Sequence, residues 1–388
     1  MKQLQSSNGG ALLITLGLML ILTIAAIMAV NTAQTDIDLS FNQLNGDLAF
    51  YVAEAGLKRA FVDLNADNDL DTAYSQVSFE RGFYSTIIIH GDTAQPMYDT
   101  VTIRSAGSVE DANANITALV VPELIYPFQF AMFGEDGINM VNNTCTDSYN
   151  SDSGTYATTV DTLTGGDIAS NGTIFLDQSA YVAGDATTSD AGGITVCATC
   201  TVIGVTDDSI DPYVLDSIPQ SDFDDAAADN DNMTGITGDF AWTAPMPSLI
   251  LGTSDTAYLH TGVYYLKDIT LTANSCLMVA PGESAVIYLD GTLTLENNTS
   301  VNPTEDPADC MIFSDGQIVS VGNDTELYVA FYGPDADVDL GQSCDWYGSI
   351  IAESIDALNT GSIHYDMALA EVPYGTTGKM LMIAWQEN

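Results

Sequence analysis

Basic side chains are nearly absent from this 388-residue sequence. It contains seven Lys and Arg residues against 53 Asp and Glu, and its formal net charge is −46 at pH 7. Nucleic acid and anionic lipid headgroups are therefore poor partners, because such binding depends on Lys and Arg contacts to phosphate. After Arg104 the only basic residues are Lys267 and Lys379, so most of the chain is also badly suited to an anionic polymer.

Motifs for catalysis and for nucleotide binding are also absent. The sequence has no Gly-rich phosphate loop, nucleophile elbow or zinc signature. His364-Tyr365-Asp366 has the composition of a catalytic cluster, but alternation along a strand puts His364 and Asp366 on one face and Tyr365 on the other. We interpret it as a polar corner that ends a stack of repeats. The sequence therefore predicts a protein that is not an enzyme.

The cysteines are few and lie in the C-terminal part of the chain. An even number in an exported chain favours structural disulfides, although sequence does not choose the pairing. Cys197-Ala-Thr-Cys200 has redox-motif spacing, but no helical pattern follows that would lower a thiolate pKa, and no second close pair completes a zinc site. We therefore predict structural disulfides, for which all six are candidates: Cys145, Cys197, Cys200, Cys276, Cys310 and Cys344.

A long apolar run is present at the N-terminus. Ten polar residues ending in Gly9-Gly10 precede the uncharged segment 11–30, which contains no proline. At about 1.5 Å per residue this segment is long enough to cross a hydrocarbon layer of ~30 Å as one helix. Helical periodicity then continues, which predicts a single rod with an apolar stripe. The stripe comprises Ile37, Phe41, Leu44, Leu48, Tyr51 and Ala55.

Three interpretations of this N-terminus compete. A cleaved secretory signal would end at a small-residue exit such as Ala26-Ile27-Met28-Ala29. A plain membrane anchor needs only the apolar run. A prepilin is cut after a glycine and keeps the apolar helix as its mature N-terminus. Gly9-Gly10 directly precedes the apolar segment in the sequence, which favours the prepilin. The helical pattern that continues beyond the apolar segment favours it as well.

The N-terminal motifs resemble a known family. Gly10-Ala11-Leu12-Leu13-Ile14, the apolar run and Ala53-Glu54-Ala55-Gly56-Leu57-Lys58-Arg59-Ala60 resemble type IV pilus assembly proteins of the PilX type, a class of minor pilins. The resemblance covers about the first 65 residues and implies cleavage between Gly10 and Ala11 by prepilin peptidase. Major pilins carry a glutamate at the fifth mature position, which is Thr15 here. The absence of this glutamate implies a subunit that initiates a filament or caps its tip.

The pattern changes to strands after the rod. Segments 84–89, 100–104 and 116–121 are rich in β-branched residues and are separated by Gly and Asp turns. They predict a small antiparallel sheet packed against the lower half of the rod. Pro122 and Pro127 mark a boundary after it.

An internal repeat dominates the remainder. Segments 132–144, 287–299 and 312–325 are near-copies of one unit: an apolar strand, an Asp-Gly-like corner, an alternating strand and a polar corner. A unit this short cannot bury its own apolar face, and its copies must therefore stack on one another. This predicts a parallel β-solenoid. An ordinary sandwich is the alternative, but it does not explain the phased corners. Segment 328–352, with the closing segment 362–366, also resembles the C-terminal β-solenoid domain attached to many PilX-type proteins.

One stretch has the spacing of a calcium loop. Asp63, Asn65, Asp67, Asp69 and Asp71 place oxygen ligands at alternating positions, as in an EF-hand. Asn68 replaces the usual glycine and Tyr74 replaces the bidentate acid. An Asp- and Asn-rich loop at a helix end is therefore the alternative, and calcium is the only cofactor that the sequence suggests. A second acidic stretch, 221–231, is predicted to be a solvated insertion between repeats.

These observations predict an α+β, mainly β protein with four parts: a leader (1–10), a transmembrane and amphipathic pilin helix (11–65), a small pilin-like β region (66–127) and a β-solenoid domain (128–388). The expected function is that of a non-enzymatic minor pilin-like subunit in assembly initiation, tip capping or adhesion. The expected partners are other pilins, the pilus machinery, prepilin peptidase and a surface or glycan receptor. It would lie in the bacterial inner membrane before assembly and in an extracellular pilus afterwards. The alternatives are an anchored carbohydrate-active β-helix enzyme and a polymerising surface scaffold.

Overall fold

The structure is a computed structural model that describes residues 8–66, 73–91, 100–243, 247–303, 306–374 and 376–387. The chain divides into two compact units. Unit 1 contains residues 1–124 and 375–388, and unit 2 contains residues 125–374.

Unit 1 is one long helix with a five-stranded antiparallel sheet. The strand order is β1-β2-β3-β4-β29, so the last strand of the chain pairs with β4. This confirms the small antiparallel sheet. Its elements are α1 (Asn8–Ala66), β1 (Tyr74–Phe79), β2 (Gly82–His90), β3 (Val101–Val109), β4 (Ala112–Leu124) and β29 (Thr376–Glu387).

Small residues let α1 lie close against this sheet. Ala49, Ala53 and Ala60 are fully buried at helical spacing and pack on one face of the sheet. A Cβ at Gly107 would collide with the backbone of Ala49 and Ala53, so glycine at this position allows the close approach. The lower half of α1 is therefore held by the sheet, as the sequence predicts.

Unit 2 is a 24-stranded, mostly parallel sheet. It also contains two short helices, α2 (Tyr156–Thr159) and α3 (Gln220–Ala228). Its strands are β5 (Met132–Val141), β6 (Cys145–Tyr149), β7 (Ile168–Ser170), β8 (Thr173–Asp177), β9 (Tyr181–Val182), β10 (Ala186–Thr188), β11 (Ile194–Val196), β12 (Thr201–Val202), β13 (Thr206–Asp207), β14 (Ile236–Gly238), β15 (Ala241–Thr243), β16 (Ser248–Leu251), β17 (Thr256–Leu259), β18 (Gly262–Leu266), β19 (Ile269–Leu271), β20 (Cys276–Val279), β21 (Ala285–Leu289), β22 (Leu293–Leu295), β23 (Ser300–Val301), β24 (Cys310–Ser314), β25 (Ile318–Val321), β26 (Glu326–Leu340), β27 (Asp345–Leu358) and β28 (Ser362–Asp366).

Many strands of unit 2 pair with the strand three places later along the chain. In the middle of the unit, β16 pairs with β19, β17 with β20 and β18 with β21, all parallel. This register stacks equivalent apolar residues on one another. Leu293, Val319 and Val338 are one such column, and all three are buried in the central core.

The order of strands in space differs from their order along the chain. β5 pairs with β27 on one side and with β7 and β8 on the other, so the first strands of unit 2 lie between its last strands and its second set. The connection from β13 to β14 contains α3. Phe223 of α3 is buried against Tyr288, with ring centroids 5.4 Å apart, so the acidic stretch 221–231 is not simply solvated as the sequence suggested.

Two kinds of corner explain the sequence repeat. At the polar corners, Asn274, Asn298 and Asp324 have positive φ values of 60°, 58° and 53°, a conformation that Asn and Asp tolerate better than most residues. At the Asp-Gly corners the glycines allow close approach instead: a Cβ at Gly316 would collide with the carbonyl oxygen of Gly291.

The last strand lies in unit 1, which corrects the predicted domain boundary. The repeat pattern places residues 376–387 in the 128–388 region, whereas β29 pairs with β4 from Thr376↔Leu124 to Glu387↔Ile116. Its alternating apolar residues suit either sheet, and Met380 completes the core beneath α1.

Candidate functional site

The N-terminal part of α1 is the first candidate site. Leu12–Ala66 includes a stretch long and apolar enough to cross a membrane, with a mean hydropathy of 2.7 and none of that window buried. Segment 12–35 contains no charged residue. Thr15 has no carboxylate, and its hydroxyl donates to the carbonyl of Leu12 at 2.9 Å, within its own helix.

The predicted cleavage site lies close to the start of the described helix. Gly10 and Ala11 both belong to α1, which begins at Asn8. Residues 1–7 of the predicted leader lie outside the described residues. Cleavage between Gly10 and Ala11 therefore stays a prediction.

Below the span, α1 presents two different faces. Ile37, Phe41 and Leu44 of the predicted stripe are 55%, 59% and 47% exposed. The face that packs on the sheet is a different one, and it is centred on Ala53 and Leu57. The upper part of the stripe, from Ile37 to Leu44, is therefore an apolar helix surface that unit 1 does not cover, whereas Leu48 packs against the core of unit 1.

The two described residues of the predicted calcium loop serve the fold of unit 1. Asp63 accepts a hydrogen bond from Tyr74 and lies 3.5 Å from Arg59. Asn65 donates to the carbonyl of Phe61 and accepts from the amide of Met380. Asp67, Asp69 and Asp71 lie outside the described residues, so calcium binding stays a prediction. Within the described part of the chain, no three His, Cys, Asp or Glu side chains form a group that could hold a metal.

One disulfide is present, between Cys197 and Cys200. The other four cysteines are free thiols, which corrects the expectation that all six form disulfides. The reason is register: Cys276 lies between Thr256 and Ser300, and Cys145 between Ser362 and Tyr181. Burial raises the pKa of the Cys310 and Cys344 thiols to about 12, which keeps them protonated and unreactive.

The free thiols can be counted directly. Reaction of the unfolded, unreduced chain with Ellman's reagent is expected to release four equivalents of chromophore per chain. The Cys197→Ser/Cys200→Ser double variant should give the same count, because it removes only the bonded pair. Six thiols in the wild type, or none, would contradict this arrangement.

A buried polar cluster surrounds His364. Its Nδ1 lies 2.7 Å from Asp147 Oδ1, and the Tyr156 hydroxyl donates to Asp147 Oδ2 at 2.7 Å. Tyr347 stacks on the imidazole at a centroid distance of 4.5 Å, and His364 is only 6% exposed. Tyr365 points the opposite way into the core, so the predicted alternation is confirmed. The cluster joins β28 to β6 through the contact between His364 and Asp147. Because it is buried, it offers no open surface to a substrate.

Asp366 lies beside this cluster and is fully buried. Its Oδ1 accepts from the amides of Ser151 and Ala368, whereas Oδ2 has no hydrogen-bond partner. Tyr149, its partner on the adjacent strand, also has a buried hydroxyl without a partner. Burial raises the pKa of Asp366, against the hydrogen bonding of the Ser151 side chain and of the amides of Ser151 and Ala368, and the charge of Asp306 adds a smaller increase.

This pKa shift predicts a pH-dependent stability. The folded state holds the Asp366 proton to higher pH than the unfolded state does, so stability is lost as the pH rises from about 4 through the folded pKa. Asp366→Asn removes that loss. Its free energy of unfolding relative to wild type should therefore increase between pH 4 and pH 7, measured by urea titration.

Asp207→Asn is the control of opposite sign. Hydrogen bonds from Ser209 lower the pKa of Asp207, so this variant should lose stability relative to wild type as the pH rises from the folded pKa to about 4, and should show no trend between pH 4 and pH 7. Parallel trends in the two variants would contradict the assignment for Asp366.

Comparisons with known proteins give limited information. A family described as a domain of unknown function (DUF7305) matches residues 272–372, which lie in unit 2 and form less than half of the chain. None of the curated proteins matches this chain.

Two solved structures show a distant likeness. The competence-associated pilin ComZ from Thermus thermophilus is 12% identical, with a TM-score of 0.29, and the match covers 89% of this chain and 97% of that one. An ice-binding protein from the Antarctic ascomycete Antarctomyces psychrotrophicus is 14% identical, with a TM-score of 0.36, and the match covers 62% and 98%. At these scores the likeness carries no argument about function.

Proposed function

We propose that this protein is a minor pilin-like subunit of a type IV pilus or a related filament. The observation that carries the proposal is α1: an uncharged apolar segment runs without a break into a helix whose lower half is packed on an antiparallel sheet. A signal peptide or a plain anchor has no need of that continuity. The processed helix would join a bundle of similar helices in the filament.

The exposed apolar surface of α1 supports this assignment. Ile37, Phe41 and Leu44 lie beyond the apolar span, in a stretch that also contains Asp36, Asp38 and Asp47. Large apolar side chains exposed in such a row favour a helical partner. Neighbouring pilin helices are the partner that suits them, after insertion in the bacterial inner membrane.

Thr15 supports a specialised position in the filament. A repeating subunit would pair a carboxylate at this position with the N-terminal amine of its neighbour, whereas the Thr15 hydroxyl bonds to its own helix. We therefore assign the protein to initiation or tip capping of the filament, after cleavage between Gly10 and Ala11 by prepilin peptidase.

Unit 2 is proposed to be a parallel β-solenoid displayed outside the cell. The three-strand period of its parallel pairings and its stacked glycine and asparagine corners support this architecture. Its surface would attach to a receptor, with no chemistry of its own. A carbohydrate-active enzyme is disfavoured because Lys267 is the only Lys or Arg between residues 125 and 374.

Mass spectrometry of the mature N-terminus tests the proposal. The expected result is a chain that starts at Ala11 in the sheared filament fraction. A start at Met1 would mean a plain anchor, and a start near Val30 would mean a free secreted protein. The Gly10→Val variant should keep Met1, whereas Gly9→Ala should still yield Ala11, because cleavage follows Gly10.

A further inference from the structure

Arg104 occupies the centre of the sheet face that α1 leaves uncovered. It lies on β3, directly in register with Ile87 of β2 and with Thr117 of β4, and Thr117 is in register with Gln386 of β29. These side chains line a shallow hollow of about 650 Å³ together with Ser85 and Asn115. Four strands of the sheet, β2, β3, β4 and β29, therefore surround a guanidinium with mostly neutral hydrogen-bonding side chains; we call this surface the Arg104 face.

The Arg104 side chain is exposed and has no ion pair or hydrogen bond among the described residues. This is notable in a chain with 53 carboxylates. Arg81 at the β1–β2 turn is likewise without an ion pair among the described residues, whereas Lys58 pairs with Glu54 at 2.8 Å and Lys267 with Asp290 at 3.0 Å. The fold thus satisfies these cations locally and leaves Arg104 facing outward.

The Arg104 face is also free of acidic residues. Segments 83–89, 102–108 and 113–119, which form its three central strands, contain no Asp or Glu. In a molecule of net charge −46, Arg104 is the only charged residue among the described residues that line the hollow. Charge complementarity therefore points to a partner that bears a carboxylate.

Apolar side chains border the Arg104 face, and they bear on whether the carboxylate belongs to a polyanion or to a protein surface. Phe83, Ile87 and Ile89 are 53%, 44% and 38% exposed. A hydrated polyanion needs several cations along its length, whereas one arginine within apolar side chains suits a single carboxylate on a protein surface. The lower local dielectric beside such a border strengthens the two hydrogen bonds of a bidentate Arg–carboxylate pair.

We propose that the Arg104 face docks a carboxylate-bearing surface of a neighbouring filament subunit, and that Arg104 forms the central ion pair. This inference rests on the proposed function, because it names a partner within the filament. The apolar stripe of α1 would hold the helical part of the subunit, and the Arg104 face would hold its sheet.

The test is incorporation of full-length variants into filaments in the producing cell. Arg104→Glu should reduce the amount of the protein in the sheared filament fraction at least about tenfold. The introduced carboxylate would repel the partner's carboxylate, where Arg104 forms an ion pair with it. Arg104→Lys keeps the charge but loses the bidentate geometry, so an intermediate amount is expected. Arg81→Glu makes the same charge change at the exposed β1–β2 turn and should have no effect.

Membrane levels and the mass of the N-terminus are measured in parallel. Unchanged values for Arg104→Glu show that the variant folds and is processed, so a loss of incorporation reports docking. Wild-type incorporation of Arg104→Glu would overturn the proposal, as would an equal loss in Arg81→Glu. Arg104-dependent binding of polygalacturonate with unchanged incorporation would overturn it in favour of a glycan. If the wild type starts at Met1 and never enters filaments, the proposed function fails and this inference fails with it.

Discussion

Replacement of Trp346 by alanine is expected to lower the free energy of unfolding of unit 2 by about 3–5 kcal/mol. Trp346 is the largest fully buried side chain, and its neighbours in register, Leu327 and Ile363, belong to the strands on either side. Its indole Nε1 donates to the carbonyl of Val329 at 3.0 Å. Truncation would therefore leave a large cavity and an unsatisfied carbonyl in the stacked core.

Trp385→Ala is the matched control, because Trp385 is 59% exposed on β29 of unit 1. The same change there should alter the stability of unit 2 by less than about 0.5 kcal/mol. Hydrogen exchange with mass spectrometry, read on peptides from β26 and β27, measures the opening free energy where the cavity lies. Equal losses in the two variants would contradict the stacked core.

Gly316→Ala is expected to cost at least about 3 kcal/mol, the upper part of the range for overpacking. The added Cβ would collide with the backbone carbonyl of Gly291 on the preceding repeat, which cannot rotate away as a side chain does. The neighbouring repeats would have to separate at this corner, and their parallel hydrogen bonds would lengthen.

Gly361→Ala controls for the loss of backbone entropy in the unfolded chain. A Cβ there would lie 3.5 Å from the carbonyl of Cys344, an ordinary contact, so the change should be neutral or slightly stabilising. Urea titrations of the two variants give the comparison. A stable Gly316→Ala protein would mean that the Asp-Gly corners do not stack as described.

The parts of the fold that depend on local pattern were predictable. The apolar run and its helical continuation specify α1, because length and periodicity determine a helix. Asn298 and Asp324 mark polar corners, since both adopt positive φ at low cost. The Asp-Gly corner also recurs visibly, although its cause is close backbone approach at Gly316 and not a positive φ.

The long-range arrangement was not predictable, because similar repeats can stack in more than one order. Asp147 and His364 meet only because β6 pairs with β28, and no local signal links residues 217 positions apart. The same is true of Arg104, whose environment depends on strands from both ends of unit 1. The pairing of the cysteines was not predictable for the same reason, since the strand register determines which side chains become neighbours.

The pairing of β29 with β4 has a consequence for the modularity of this protein. The chain leaves unit 1 at Leu124 and returns at Thr376, and these two residues are partners on adjacent antiparallel strands. Residues 125–374 are thus an insertion in what is otherwise a β-hairpin. Because directly opposite residues in such a pair lie about 5 Å apart, a short turn is enough to join them. The insertion site would accept a different domain, or none, without changing the sheet that supports α1.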